Sequence, residues 1–318
     1  RSPPRSRGSY LPIPYPMTFS SPNSLHAEDH IGIIGLGLVG SELALRLIKG
    51  GKRVMGFDID SECLDRFVRI GGQAAADAGA VFAHCQRVLV SLPSHREVDS
   101  VFQLHAASLH PGLTIIDTTT GDRASTEAIA TSLRSRGISY LDATVSGSSR
   151  QVRDGGAILM VGGSENDYNA CRDLLDLLAD ASFHTGPNGT GAKMKLVTNL
   201  VLGLNRAVLA EGLAFAEALA LSPELALKIM RHSPAYSRAM DAKGEKMIHA
   251  EFSPEARLAQ HLKDVRLILA AGLAGGLPMP LSKAHREILE QAVADGLGEL
   301  DNSAIVQVLS ARSPVSRS

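Results

Sequence analysis

The sequence contains no tryptophan, and aromatic residues make up only 4% of its 318 positions. A chain so poor in aromatic rings lacks the stacking platform on which single-stranded nucleic acids are bound. An excess of positive charge is missing as well, since the formal net charge at pH 7 is −1. The composition therefore does not indicate a basic surface for nucleic acid or for an acidic membrane. We expect neither among the partners of this protein.

Long uninterrupted apolar runs are also lacking, so the sequence predicts no segment that crosses a bilayer. The balance of 44% hydrophobic and 20% charged residues is that of an ordinary globular protein. A length of 318 residues allows a large hydrophobic core and favours two domains.

Cysteine is scarce, with only Cys63, Cys85 and Cys171 scattered along the chain. This odd, widely spaced set predicts free thiols rather than a disulfide framework or a zinc site. The eleven histidines form no i,i+4 pair beside a carboxylate, and we predict no metal site. Free thiols are typical of a reducing compartment, so we expect a cytoplasmic protein.

The most informative stretch is residues 31–40, an apolar run that leads into three closely spaced glycines. Gly35 permits a sharp turn, Gly37 lets the backbone approach a pyrophosphate, and Gly40 lets the following helix pack closely on the strand. The N-terminus of that helix offers free N–H groups and a partial positive charge to phosphates. The turn is completed by Leu36, Leu38 and Val39.

A second apolar run, residues 54–57, ends at Asp58. An acid about twenty residues beyond the glycines can accept hydrogen bonds from a ribose diol. The order strand, glycine turn, helix, strand and acid predicts a dinucleotide site, the alternative being a purely structural glycine turn. Because a 2′-phosphate would meet the negative charge of Asp58, the pattern favours NAD over NADP.

Residues 30–188 alternate between strand and helix patterns, which predicts a doubly wound, mostly parallel sheet, a Rossmann domain. Residues 189–310 read as helices only, beginning with a long helix over residues 192–221 that joins the two domains. The predicted strands are 31–34, 54–57, 88–91, 114–117, 139–142, 157–161 and 182–184, the last of them antiparallel at an edge. The long helix is apolar on most sides, so we expect it to be buried by a partner subunit in a homodimer or homotetramer.

The two ends of the chain do not show a folding pattern. Residues 1–29 are rich in Pro, Ser and Arg, and so dense a set of prolines argues against a helix. We predict a disordered extension there and a loose tail over residues 311–318. An organelle transit peptide, or a leader placed before a natural start at Met17, are the alternatives for the first segment.

Residues that can bind a ligand or take part in a reaction fall into four groups. Ligands of an open parallel sheet lie beyond the carboxyl ends of its strands, where two turns carry Leu92, Pro93 and Thr119. A Ser/Gly turn follows the strand 139–142 and suits a carboxylate, with a flexible loop as the alternative. The last two groups lie in the helical half: Lys195, Thr198 and Asn199 share a helix face, and Lys263 and Asp264 begin a later helix.

Lys195 lies on an otherwise apolar helix, so its amine must face a cleft or pair with a charge. Burial in such a cleft lowers the pKa of a lysine towards the range of proton transfer. The alternative is a surface lysine whose ammonium group reaches water, as we expect for Lys193 two positions earlier.

Taken in order, these motifs resemble the β-hydroxyacid dehydrogenases, a family that includes 3-hydroxyisobutyrate dehydrogenase and tartronate semialdehyde reductase, with 6-phosphogluconate dehydrogenase more distant. The resemblance runs over residues 31–309. Residues 35–40 are similar to the family's glycine turn, 146–163 to its substrate-binding signature and 189–199 to its catalytic signature, and Lys263-Asp264 to its late Lys-Asp pair.

The resemblance implies an oxidoreductase that moves a hydride between NAD(P) and a small hydroxy acid. It implies that Lys195 is the general acid/base, that Asn199 helps to hold the substrate, and that Lys263 lies near the cofactor. It further implies that Ser146, Gly147 and Ser148 bind the substrate carboxylate, with Thr198 beside them.

Several positions depart from the family pattern, namely Thr144, Ser148, Gln151 and Thr198, and the substrate loop also carries Arg150 and Arg153. Substrate identity therefore stays open, and we expect a small polar hydroxy acid, with or without a second anionic or hydroxylated group. The alternatives are an imine reductase of the same architecture and a non-catalytic dinucleotide-binding protein. The presence of Lys195 argues against both.

Overall fold

The computed structural model describes residues 30–121 and 123–310. The predicted extension over residues 1–29 and the predicted tail over residues 311–318 lie outside this part of the chain. The described residues form one β-sheet in the first half and helices in the second.

Eight strands make up the sheet, in the order β3-β2-β1-β4-β5-β6-β7-β8. The strands are β1 (Ile31–Ile34), β2 (Val54–Phe57), β3 (Gln73–Ala74), β4 (Arg87–Val90), β5 (Thr114–Asp117), β6 (Ser139–Ser146), β7 (Ile158–Gly162) and β8 (Ala181–Gly186). β1 to β6 are parallel, β7 runs antiparallel to β6, and β8 runs parallel to β7 at the edge. The Rossmann prediction is confirmed, but the reversal of direction begins one strand earlier than expected.

Eight helices accompany the strands: α1 (Gly40–Lys49), α2 (Ser61–Arg69), α3 (Ala78–His84), α4 (His95–Leu104), α5 (Arg123–Arg134), α6 (Ser149–Asp154), α7 (Glu165–Ala170) and α8 (Arg172–Leu178). The sheet separates two layers of buried side chains, one including Leu43 of α1 and Val152 of α6, the other Val81 of α3 and Val98 of α4. Helices therefore cover both faces, as the near-continuous apolar strands require.

Six helices follow the sheet: α9 (Thr190–Ala218), α10 (Pro223–Arg231), α11 (Arg238–Ile248), α12 (Leu258–Ala274), α13 (Pro280–Ala294) and α14 (Val306–Leu309). They share a third apolar core, which includes Leu209 and Leu213 of α9 and Leu262 of α12. The expectation of an all-helical second half that starts with a long helix is confirmed.

α9 corrects the expectation that nothing in the chain could cross a membrane by length and composition. With 29 residues it is long and apolar enough to do so. It also packs against β6, α11 and α12 and bears the charged residues Lys195 and Arg206.

Candidate active site

The three glycines of the first turn differ in how much space a side chain would have at each position. Gly35 has a φ of +93°, and a side chain there would also overlap the carbonyl oxygen of Ser91. A side chain at Gly40 would overlap the carbonyl oxygen of Gly35, so α1 could not begin so close to β1. At Gly37, by contrast, an added Cβ would meet open space. This arrangement fits a dinucleotide, because the turn is tight where the protein packs and open where a pyrophosphate would approach.

Asp58, which directly follows β2, stabilises the same turn through hydrogen bonds to backbone amides. Its Oδ2 accepts a hydrogen bond from the amide of Leu36 at 2.6 Å, and its Oδ1 accepts one from the amide of Asp60 at 2.9 Å. Leu36 is 1% exposed and packs in the core, whereas Leu38 is 83% exposed beside Val39, the residue that precedes α1. The carboxylate therefore lies beside the glycine turn, where the NAD prediction requires it.

The two predicted cofactor turns come together beyond neighbouring strands. The amide of Leu92, after β4, donates to the Thr119 hydroxyl, after β5, at 3.1 Å. Asp117, which sequence reasoning did not single out, accepts hydrogen bonds from the amide of Thr119 and the hydroxyl of Tyr140. Since β1 and β4 are adjacent although not consecutive, this edge is the switch point at which open α/β sheets bind ligands.

The Ser/Gly turn is less open than predicted, because α6 starts inside it. Ser148 precedes α6, and its side chain accepts a hydrogen bond from the amide of Gln151. In return the Gln151 side chain accepts one from the amide of Ser148 at 2.8 Å. This capping box gives Ser148 and Gln151 a reason to replace the usual glycines, and it shortens the turn to the residues between Ser146, which ends β6, and Ser149, which begins α6.

Lys195 reaches this turn from α9. Its Nζ donates to the carbonyl oxygen of Val145 at 2.7 Å, directly before Ser146. Burial lowers the pKa of Lys195 below its usual 10.5, and the negative charge of Asp264 opposes that shift. Lys193, two positions away, is exposed. The contrast between the two lysines is the one that the sequence predicted.

Asn199 and Asp264 complete the polar wall beside Lys195. The side-chain amide of Asn199 donates to Oδ2 of Asp264 at 3.3 Å. Burial raises the pKa of Asp264, while the neighbouring Lys195 lowers it. Thr198 points its hydroxyl proton at the carbonyl oxygen of Lys195 at 3.0 Å, and Lys263 is exposed. Of the five residues named from the sequence on α9 and α12, Lys195, Asn199 and Asp264 come together in the structure, whereas Lys263 is exposed.

Asp142 is a positioning residue that sequence reasoning missed. From β6, its two oxygens accept hydrogen bonds from the amides of Gly189 at 2.8 Å and Ala192 at 3.2 Å, at the start of α9. A Cβ at Gly191 would lie 2.5 Å from the carbonyl oxygen of Asp142, so the helix can begin this close to the sheet only with glycine there. The available signal was an acid at the end of a strand, just before the substrate turn.

The buried face of α9 stays polar beyond Asn199. Arg206 is buried and its guanidinium donates to the ring of His261 on α12. Burial lowers the pKa of Arg206 to about 10, and that of His261 to about 2. Lys195, Asn199 and Arg206 thus share the face of α9 that packs on α12.

The fold and these contacts define a two-part oxidoreductase with a nicotinamide-dinucleotide site at the sheet edge. Residues 30–186 match the family model of the NAD-binding domain of 6-phosphogluconate dehydrogenase. Residues 189–309 match the model described as NAD-binding of NADP-dependent 3-hydroxyisobutyrate dehydrogenase.

Similar proteins carry related names. The chain is 34% identical over 282 residues to 2-(hydroxymethyl)glutarate dehydrogenase of Eubacterium barkeri, covering 87% of this chain and 94% of that protein. It is 30% identical to 2-hydroxy-3-oxopropionate reductase of Escherichia coli, covering 88% and 96%. The structure of Mycobacterium tuberculosis 3-hydroxyisobutyrate dehydrogenase has 26% identity and a TM-score of 0.82, over 89% of this chain and 99% of that one.

The chain belongs to the β-hydroxyacid dehydrogenase family. It is an NAD(P)-dependent oxidoreductase that takes a hydride from a small hydroxy acid or returns one to the matching carbonyl compound. The cofactor supplies the hydride chemistry, and the protein supplies position and proton transfer.

Proposed function

We propose that the protein oxidises a small polar hydroxy acid, or reduces the matching carbonyl compound, with Lys195 as the general acid/base. The observation that carries this proposal is the 2.7 Å hydrogen bond from Lys195 to Val145, which holds the amine against the Ser146-Gly147 turn. In oxidation, Nζ takes the proton of the substrate alcohol as the hydride leaves the carbon; in reduction, it returns that proton.

The substrate carboxylate binds, in this proposal, at the Ser146-Gly147 turn, and Asn199 hydrogen-bonds the substrate from α9. Asp264 supports Asn199 through their 3.3 Å hydrogen bond. The capping box uses the amide of Ser148 as a donor and its hydroxyl as an acceptor, whereas the Ser146 hydroxyl lies outside the box. Thr198 lines the same wall. Its hydroxyl proton is donated to the carbonyl oxygen of Lys195, so the hydroxyl oxygen is left to accept a hydrogen bond from the substrate.

The charge of the substrate is the next part of the proposal. Arg150 and Arg153 both follow the substrate turn, but Arg150 lies 3.7 Å from Asp154 and Arg153 pairs with Glu42. Because each arginine already has a carboxylate partner, neither requires a second anionic group on the substrate. We therefore infer a compact hydroxy acid like 3-hydroxyisobutyrate or 2-hydroxy-3-oxopropionate as the first choice.

For the cofactor we propose NAD rather than NADP. The support is Asp58, whose carboxylate lies beside the glycine turn and would repel a 2′-phosphate. The family resemblance further implies which residues line the cofactor, namely Gly35 to Gly40, Leu92, Pro93, Thr119 and Lys263.

For the assembly we propose a homodimer or homotetramer that buries the outer face of α9. Exposed apolar residues recur along that face with helical spacing, namely Met194, Val197, Val201, Val208 and Phe215. Such a stripe on a helix favours a second subunit over water. For the location we propose the cytoplasm, supported by the three buried free thiols Cys63, Cys85 and Cys171.

A panel of hydroxy acids tests the proposed reaction. The purified protein is assayed with 3-hydroxyisobutyrate, glycerate, threonate and 2-(hydroxymethyl)glutarate, each with NAD and with NADP, by the absorbance of the reduced nicotinamide. We expect turnover of at least one acid, with a higher kcat/KM for NAD. Intact NADH binding without turnover of any acid or matching carbonyl compound would contradict the proposal.

A further inference from the structure

An ion pair links the cofactor turn to the substrate turn. Glu42 is the third residue of α1, and its side chain is only 10% exposed. Arg153 of α6 donates from Nε to Oε2 of Glu42 at 2.9 Å and from Nη2 to Oε1. This two-pronged contact joins residues 111 positions apart in sequence, and it is the geometry in which arginine holds a carboxylate most firmly.

The position of Glu42 makes this pair more than a surface contact. The first turn of α1 directly follows the glycine turn and faces the place where the dinucleotide phosphates bind. Phosphates are attracted there by the amide groups of the helix N-terminus. A carboxylate in the same turn, shielded from water, works against that attraction unless a cation compensates it.

The two other arginines near this pair make their hydrogen bond or ion pair with groups other than Glu42. Arg46, one turn further along α1, donates to the carbonyl oxygen of Leu177, and its guanidinium lies against Gly155. Arg150 is paired with Asp154 within α6. Among the described residues, Arg153 is therefore the cation that holds the Glu42 carboxylate, and its side chain remains 57% exposed on the other side.

We propose that Arg153 is a positioning residue for the cofactor: by neutralising Glu42 it keeps the phosphate-binding end of α1 attractive to the dinucleotide. The proposal rests on the dinucleotide site of the proposed function. It has a geometric consequence as well. Because α6 begins directly after its N-cap Ser148, the same pair fixes the substrate turn against the cofactor turn.

The test uses opposite expectations for the two partners. Arg153→Gln and Arg153→Ala remove the cation that hydrogen-bonds Glu42, and we expect the Kd for NADH to rise by about tenfold, as for loss of one member of a hydrogen-bonded charge pair. Glu42→Gln removes the repelling charge, so its Kd should stay at or below the wild-type value. The double variant Glu42→Gln/Arg153→Gln should bind NADH about as well as Glu42→Gln alone.

Binding is measured on the full chain by NADH fluorescence titration, with thermal unfolding to confirm that each variant is folded. Arg150→Ala, in the same helix but paired only with Asp154, is the matched control and should bind as wild type. A merely structural bridge predicts that Glu42→Gln and Arg153→Gln weaken binding alike, with no recovery in the double variant, and that result would overturn the proposal.

If Arg153→Ala does not fold, Arg153→Gln and the double variant decide the question. Unchanged NADH affinity in the folded Arg153 variants also overturns it. Failure of the proposed reaction is a separate result, since it appears as missing turnover while wild-type NADH binding persists.

Discussion

The environment of Lys195 decides what its amine can do. Burial lowers its pKa below 10.5, and the amine is held at 2.7 Å from Val145. A base must be unprotonated to accept a proton, and an acid must be protonated to give one. We therefore predict that the oxidation rate rises with pH through a pKa below 10.5, and that the reduction rate falls through the same pKa. Initial rates in both directions across a pH series measure this.

Two variants serve as controls for that prediction. Lys195→Ala should lose about 10²–10⁴-fold in kcat and lose the pH step, because the proton-transfer group is gone. Lys193→Ala should keep both, since Lys193 is exposed. A pH step that survives in Lys195→Ala would assign the proton transfer to another group.

Sequence reasoning about single residues succeeded where a local feature, the glycine turn or the apolar helix, determines what surrounds the residue. Gly37 faces open space, as the glycine spacing predicted, and Lys195 is partly buried, as the apolar helix around it predicted. It missed Asp117 and Asp142, because each has a partner that comes from a distant segment: the Tyr140 hydroxyl of β6 for Asp117, and the Gly189 amide before α9 for Asp142. A carboxylate's partners are not visible in a single chain segment.

The start of α9 is set by how closely it approaches β6. We predict that Gly191→Ala destabilises the protein by about 1–3 kcal/mol, since the added Cβ would press on backbone carbonyl oxygens of Asp142 and Met160. It should also lower kcat by shifting Lys195. Chemical denaturation and steady-state rates measure the two effects.

Gly212→Ala is the matched control within the same helix. An added Cβ there would meet only the Met230 sulfur at an ordinary 3.7 Å. Replacing a helical glycine by alanine then stabilises by up to about 1 kcal/mol. Equal effects of the two substitutions would contradict the close approach of α9 to the sheet.

Elements with strong periodicity were predictable, and short ones were not. β1, β2 and β5 were predicted at their observed bounds, whereas β3, of two exposed residues, was missed. α6 was read as an open turn although its Ser148-x-x-Gln151 capping box is visible in the sequence. The glycines on both sides of this stretch favour a loop, although the capping box is a local signal for the start of a helix.

At the scale of the whole molecule, α9 presents its polar face to α12 and an apolar face outward. We predict that the wild type has a mass of two or four times 33.6 kDa in solution, measured by light scattering after size exclusion. Val201→Glu with Val208→Glu should shift it towards the monomer, because buried charges are costly at an interface.

An exposed apolar residue outside α9 provides the control. Leu104, on α4, is 79% exposed, and Leu104→Glu should leave the assembly unchanged. A wild type that is already monomeric at assay concentrations would contradict the proposed assembly.

The sequence by itself determined the alternation of strands and helices in the first half, the glycine turn with Asp58, and the lysine on an apolar helix. These follow from local rules: side-chain periodicity, the conformational freedom of glycine and the cost of burying a charge. Only the tertiary structure decided that β7 reverses direction, that Lys195 reaches Val145, and that Arg153 holds Glu42. Those contacts join residues far apart in the chain, and their energies depend on packing that no single segment encodes.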